Sequence, residues 1–351
     1  MISRKQEDWG TQEQTALSRR TFLTGMTVTA AHLIAGEEGA DARIRRTPVI
    51  LDTDIGDDID DTWALGLLLR CPELDLKLVV TDYGKSEYRA TLAAKFLTQV
   101  GKADIPIGLG APANSPEAGP QEAWIRDFSL KQYRGQVHKD GVKALIDLVM
   151  RSRERITIIA IGPVTTLAAA LKREPRIAER ADIVGMQGSV RAGYNGKPTP
   201  DAEYNVVRDV PACQRVFTAD WPICITPLDT CGRVSLYAEP YQRMLRSHDR
   251  IVKAILENYE VWERAVNRKP ELTLNQNQSS TLYDTVAVYL AAAQATGRDL
   301  IKMETLGIRV DEAGYTRNDA SAKRMEVATE WKDLDGFRNF LVERLTQEKK
   351  V

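Results

Sequence analysis

From Thr47 onward the chain alternates short, nearly unbroken apolar runs rich in β-branched residues with longer stretches of helical spacing, a rhythm that few folds accept. The runs predict strands at Thr47–Asp52, Leu76–Thr81, Ile105–Leu109, Ile156–Ile161, Ile183–Met186 and Ile223–Leu228. A strand without polar alternation is covered on both faces. Tyr88–Val100, Val142–Arg153 and Thr165–Lys172 carry apolar residues at helical intervals between them, and Tyr237–Leu272 reads as helical and amphipathic. Strand alternating with helix predicts an α/β fold, an open and mostly parallel sheet flanked by helices. In such sheets ligands bind beyond the carboxyl ends of the strands, so the residues that follow each strand are where chemistry belongs.

The segment after the first strand reads Asp52-Thr53-Asp54-Ile55-Gly56-Asp57-Asp58-Ile59-Asp60-Asp61, six aspartates in ten positions. Carboxylates this dense raise one another's pKa unless a cation neutralises them. Oxygen donors without histidine or cysteine nearby suit a hard divalent ion, and calcium accepts the most flexible geometry. An EF-hand beginning at Asp52 needs glycine at its sixth position and glutamate at its twelfth, where Asp57 and Trp63 stand. A phosphotransferase nucleophile at Asp52 would want Thr or Val where Gly56 sits. Helix capping accounts for one or two of the aspartates, not six.

Lysine and arginine total 48 against 49 acidic residues, so no overall basic field draws in a nucleic-acid polymer. Four cysteines at irregular spacing read as buried thiols rather than a disulfide framework, with a Cys224–Cys231 bridge as the alternative in an oxidising compartment. Near the N-terminus, Ser18-Arg19-Arg20-Thr21-Phe22-Leu23 precedes an apolar run to Gly36 and then Ala40-Asp41-Ala42. This resembles a twin-arginine export signal over residues 1–42, which implies a periplasmic or secreted protein whose one remaining domain runs over 43–351. The apolar run is shorter than the roughly 20 residues a membrane span needs, so no membrane insertion is expected.

Asp52, Asp54, Gly56 and Asp60-Asp61-Thr62-Trp63-Ala64 resemble the signature of the nucleoside hydrolase family, with two extra residues between Gly56 and the aspartate pair. Further landmarks of the family follow in order: Ala103-Asp104-Ile105-Pro106-Ile107 with Gly110-Ala111-Pro112, then Ile159-Ala160-Ile161-Gly162-Pro163-Val164-Thr165-Thr166, then Ala202-Glu203-Tyr204-Asn205, and finally Leu282-Tyr283-Asp284. The resemblance implies a Rossmann-like core and calcium-dependent hydrolysis of a ribonucleoside to ribose and free base. It implies calcium held by Asp54, Asp61, Asp284 and the backbone carbonyl of Ile161. Asp60 is then the general base, with Asp58 as the alternative if the two extra residues shift the register, and Asp58, Asn195 or its competitor Lys197, Glu203 and Asn205 bind substrate. Tyr283 stands where the family carries a histidine that protonates the departing base. In place of the asparagine usual after the second strand stand Asp82 and Lys85.

A homodimer or homotetramer is what the family resemblance suggests for assembly. Base specificity is expected from Gln121–Arg134 and from around Trp262, with Trp124, Phe128, Tyr133 and Trp262 as stacking candidates. Two rival readings are a hydrolase of the same fold acting on another glycosyl compound and a calcium-dependent periplasmic binding protein without turnover.

Overall fold

Ten strands and ten α-helices succeed one another along the chain in the computed structural model, which describes residues 46–111 and 119–347. The expected export signal and Pro112 lie outside the described residues. The first half runs β1 (Thr47–Thr53), α1 (Asp60–Leu69), β2 (Leu74–Thr81), α2 (Ser86–Gln99), β3 (Ile107–Gly108), β4 (Val137–His138), α3 (Gly141–Arg151), β5 (Ile156–Ala160), α4 (Thr165–Arg173) and β6 (Ala181–Gly185). It continues with α5 (Tyr204–Arg208), α6 (Val210–Thr218), β7 (Ile223–Ile225), α7 (Ala238–Arg246), α8 (Arg250–Val266), α9 (Thr285–Thr296), β8 (Ile301–Val310), β9 (Thr316–Asn318), β10 (Arg324–Trp331) and α10 (Leu334–Thr346).

All ten strands form one sheet in the order β4-β3-β2-β1-β5-β6-β7-β10-β8-β9. Pairing is parallel from β4 to β10 and antiparallel for β10 with β8 and β8 with β9. The expected parallel sheet is therefore present, and the C-terminal antiparallel flap is an addition to it. That flap escaped the sequence reading for a physical reason. Along β8, Lys302, Thr305 and Arg309 are wholly or partly exposed while Ile301, Ile308 and Val310 are buried, so no unbroken apolar run marks it.

Alternate residues of the central strands enter opposite cores. Val49 and Leu51 of β1 pack with α1, α2, α7, α8, α9 and α10, whereas Ile50 packs with α3, α4 and α6. Every residue of α1 except the last is buried, because the helix lies beneath α8 and α9 rather than on the surface. Truncating a side chain such as Trp63 there would leave a cavity worth about 3–5 kcal/mol. The order reverses at β1, whose successor strands run outward on one side to β4 before the chain returns beside it as β5. A crevice thus opens beyond the carboxyl ends of β1 and β5, which is where the aspartates lie. All four cysteines are buried and free, so the Cys224–Cys231 bridge is not formed. Among the described residues, no helix is long and apolar enough to cross a membrane.

Candidate functional site

Two helix N-termini meet at the crevice. Asp60 and Asp61 occupy the first turn of α1, and Asp284 immediately precedes α9, which packs against α1. One oxygen from each of these three buried carboxylates lies within 4.8 Å of the others. Partial positive charge at the helix ends favours carboxylates at that point. The Asp284 amide donates to Asp60 Oδ2 at 3.1 Å, and the Thr53 hydroxyl at the end of β1 donates to Asp61 Oδ1. Burial, then the neighbouring carboxylates, holds Asp60, Asp61 and Asp284 well above the usual carboxylate range. Three buried acids with converging oxygens are costly together unless a cation lies among them. Their hard oxygens fit a divalent ion of the calcium or magnesium kind.

Asp54 is 4% exposed and lines the same cavity, outside that trio. Burial lifts it to about 8 against the opposing pull of Arg89. Beneath it Asp52 is fully buried with both carboxylate oxygens lacking a donor, and burial followed by Asp82 and Asp54 pushes its pKa far up. Asp82 has its own task. Its oxygens accept the Thr165 and Thr166 amides at 3.1 and 2.7 Å and so cap α4. Those bonds help hold Val164 at φ +58°, a left-handed conformation costly for a β-branched residue. That turn carries Ile161 at the end of β5, and Gly162 permits its approach to Asp54, since a Cβ there would come within 3.1 Å of the Asp54 amide and 3.2 Å of Oδ1.

The cavity of about 620 Å³ has an acidic floor and a largely apolar, aromatic wall. Asp54, Asp58, Asp60, Asp61, Ile161, Glu203, Asn205, Tyr283 and Asp284, all expected from the sequence, line it. Glu203 is the N-cap of α5: Oε1 accepts the Asn205 amide, while Oε2 accepts those of Gly188 and Val206. Burial raises it to about 7, those three bonds pulling the other way. Asn205 donates its amide to the carbonyls of Met186 at 3.0 Å and Ile161 at 3.3 Å, which leaves the amide oxygen for a ligand. Asp58 accepts its own neighbour's amide, that of Ile59, and burial lifts it to about 6. Tyr283 meets Tyr194 edge to face at 6.3 Å, and burial pushes its phenol to about 12, so it keeps its proton at neutral pH.

Asn195 stands apart from this group. It is exposed at φ +57° in a short turn, outside the cavity lining, and its neighbour Tyr194 faces the cavity instead. Lys197, one turn further, is tied to Asp201 at 2.5 Å. Of the four stacking candidates only Trp262 lines the cavity. Trp124 is buried beneath Lys95, Tyr133 donates its hydroxyl to the Ile105 carbonyl, and Phe128 packs on the core. Residues that the sequence reading missed are Tyr194, Met186, Tyr204, Val207 and Val266 on the wall and Asp57 at the rim. Val207 and Val266 are 42% and 46% exposed, an apolar mouth that gave no signal as isolated valines.

The model of the family described as inosine-uridine preferring nucleoside hydrolase matches residues 49–339. The non-specific ribonucleoside hydrolase RihC of Klebsiella pneumoniae is 34% identical over 203 residues, covering 55% of this chain and 65% of that protein. The chain thus spans just under two thirds of that relative's length. The pyrimidine-specific ribonucleoside hydrolase RihA of Photobacterium profundum is 30% identical over 228 residues, 60% of this chain and 69% of its own. A plant nucleoside hydrolase, PpNRh1, superposes with a TM-score of 0.71 at 22% identity over 86% of this chain and 99% of its own, a likeness of fold.

Proposed function

This chain belongs to the family of inosine-uridine preferring nucleoside hydrolases, and from that membership we propose that it hydrolyses the N-glycosidic bond of ribonucleosides with the help of calcium. The observation that carries the proposal is the convergence of Asp60 and Asp61, from the start of the domain, with Asp284, from near its end, at the floor of a cavity with an aromatic wall. A binding protein would have no need of a further ionisable carboxylate beside such a trio, and Asp54 is one.

Calcium would be held by Asp61 and Asp284 with Asp60 beside them and the Ile161 carbonyl at the cavity edge, where it would fix the sugar diol and make a water more acidic. The sequence reading places Asp54 among the ligands and Asp60 at the base. The grouping of the carboxylates favours the exchange of those two roles, because Asp60 shares the trio and Asp54, though near enough to raise the pKa of Asp61, lies outside it. In the proposed reaction Asp54 takes the proton of the attacking water, the oxygen bonds to the anomeric carbon, and the C–N bond breaks with its electron pair leaving on the base. The anomeric carbon passes through an oxocarbenium-like state. Glu203 and the Asn205 amide oxygen orient ribose hydroxyls, and Asp58 lies within the same wall. Tyr283, protonated at neutral pH, donates a proton or hydrogen bond to the departing base, which stacks against Trp262.

Release of the base in the periplasm, after twin-arginine export, is part of the proposal and rests on residues 18–42 of the sequence alone. Incubation of purified protein with inosine, uridine, adenosine and cytidine in calcium, with assay of free ribose, tests the function. Ribose from at least one nucleoside is expected. Thermal stabilisation by a nucleoside without ribose release would mark a binder and overturn the proposal.

A further inference from the structure

Asp57 belongs to the longer aspartate loop, and none of the roles above uses it. Its carboxylate oxygen Oδ2 receives two donors from different elements: Arg89 Nη2 of α2 at 2.9 Å and the Tyr204 hydroxyl of α5 at 3.0 Å. Its main-chain carbonyl receives a third, the Trp262 indole N–H of α8, also at 3.0 Å. One residue in the loop after β1 is therefore bonded to three helices. Two of those bonds end on side chains that line the cavity from different helices, Tyr204 of α5, between Glu203 and Asn205 in sequence, and Trp262 of α8.

The bond from Arg89 keeps the loop itself in place. Arg89 is 3% exposed and its other bonds go to the carbonyls of Tyr83, Asp54 and Ile55, so its charge is fixed beneath the aspartates. Asp57 is the carboxylate that pairs with it directly. Tyr204 is held from the far side as well, by the Arg208 guanidinium 4.4 Å from its ring.

Taking the hydrolase reading as its premise, we propose that Asp57 is a positioning residue that fixes both cavity walls to the cation-binding loop, so that ordering of the loop by calcium sets the gap between Tyr204 and Trp262 into which the nucleoside fits. Asp57 does not touch the reacting atoms. Its loss loosens substrate binding more than it slows the chemical step.

The test has a kinetic and a spectroscopic arm. Tyr204→Phe removes one bond and Asp57→Asn removes the charge while keeping an acceptor. Each is expected to raise KM for inosine about three- to tenfold, as suits one hydrogen bond to a charged, partly exposed acceptor, with kcat within about twofold. Asp57→Ala loses both side-chain bonds and is expected to exceed either. In the second arm, calcium is added to chelator-treated protein and indole emission is followed in the wild type and in Trp262→Phe, the difference isolating Trp262. A calcium-dependent Trp262 signal is expected in the wild type and a weakened one in Asp57→Asn. Unchanged KM in both conservative variants, or a fall in kcat at constant KM, would overturn the proposal, as would Trp262 emission indifferent to calcium. If wild-type protein releases no ribose, the hydrolase reading fails, and the emission arm still decides whether Asp57 ties the walls to the loop.

Discussion

Stripping the cation should make this protein sensitive to alkali in a way that reloading it abolishes. Asp54 is buried and its pKa stands at about 8 in the metal-free fold, against about 3.9 in an unfolded chain. The folded state thus keeps a proton that the unfolded state gives up. The stabilising effect of that proton is complete below about pH 4 and is lost as pH rises toward 8. Between pH 5.5 and 8 the loss from this one carboxyl amounts to about 3 kcal/mol at about 1.4 kcal/mol per pH unit. For a domain of this size that is a fall in Tm of roughly 6 °C. Glu203, raised to about 7, acts in the same direction. Bound calcium would oppose this loss, because a divalent charge beside them favours the ionised forms of Asp54 and of the trio alike. Differential scanning fluorimetry at the two pH values, in chelator and in millimolar calcium, is the assay. The calcium-induced rise in Tm should be several degrees larger at pH 8 than at pH 5.5. A metal-free Tm equal at both pH values, or a calcium effect independent of pH, would refute the reasoning.

Three further outcomes are expected. Asp54→Asn should lower kcat by about 10²- to 10⁴-fold while calcium still binds by calorimetry, and Asp60→Asn should weaken calcium binding itself; the opposite pattern would restore Asp60 as the base. Tyr283→Phe should cut kcat by about 10²-fold for poor leaving groups, read as ribose release, and an unchanged rate would show that the base departs without it. Gly110→Ala should lower Tm markedly, costing about 3 kcal/mol or more, since its Cβ would lie 1.6 Å from the Thr81 carbonyl oxygen, backbone that cannot step aside.

What the sequence disclosed follows from which forces leave a local trace. Strands β1, β2, β5, β6 and β7 are covered by helices on both faces, and their unbroken apolar runs announce them. The expected strand at Ile105–Leu109 is present as the short β3, whereas the two-residue β4 and the half-exposed flap β8–β10 carry no unbroken apolar run, and the flap joins the parallel sheet only where β10 meets the remote β7. At the site, the carboxylates of the floor were legible because six aspartates together have little structural use. Asp57, Arg89 and Gln121 were not, because their importance lies in bonds across more than 30 positions, among them Arg89 to Asp57 and Gln121 Nε2 to the Asp58 carbonyl at 2.7 Å. Asn195 shows the limit of motif transfer. Its amide sits on an exposed turn, and the neighbouring Tyr194 takes the cavity face.

The central claim is that carboxylates from the two ends of the domain form one cation site on which hydrolysis depends. Isothermal titration of chelator-stripped protein with calcium chloride, with ribose release from inosine measured at each addition, tests it most directly. One calcium should bind per chain, activity should return in step with occupancy, and both should be lost in Asp284→Asn. Full ribose release from stripped protein, or calcium binding unaltered in Asp284→Asn, would contradict it.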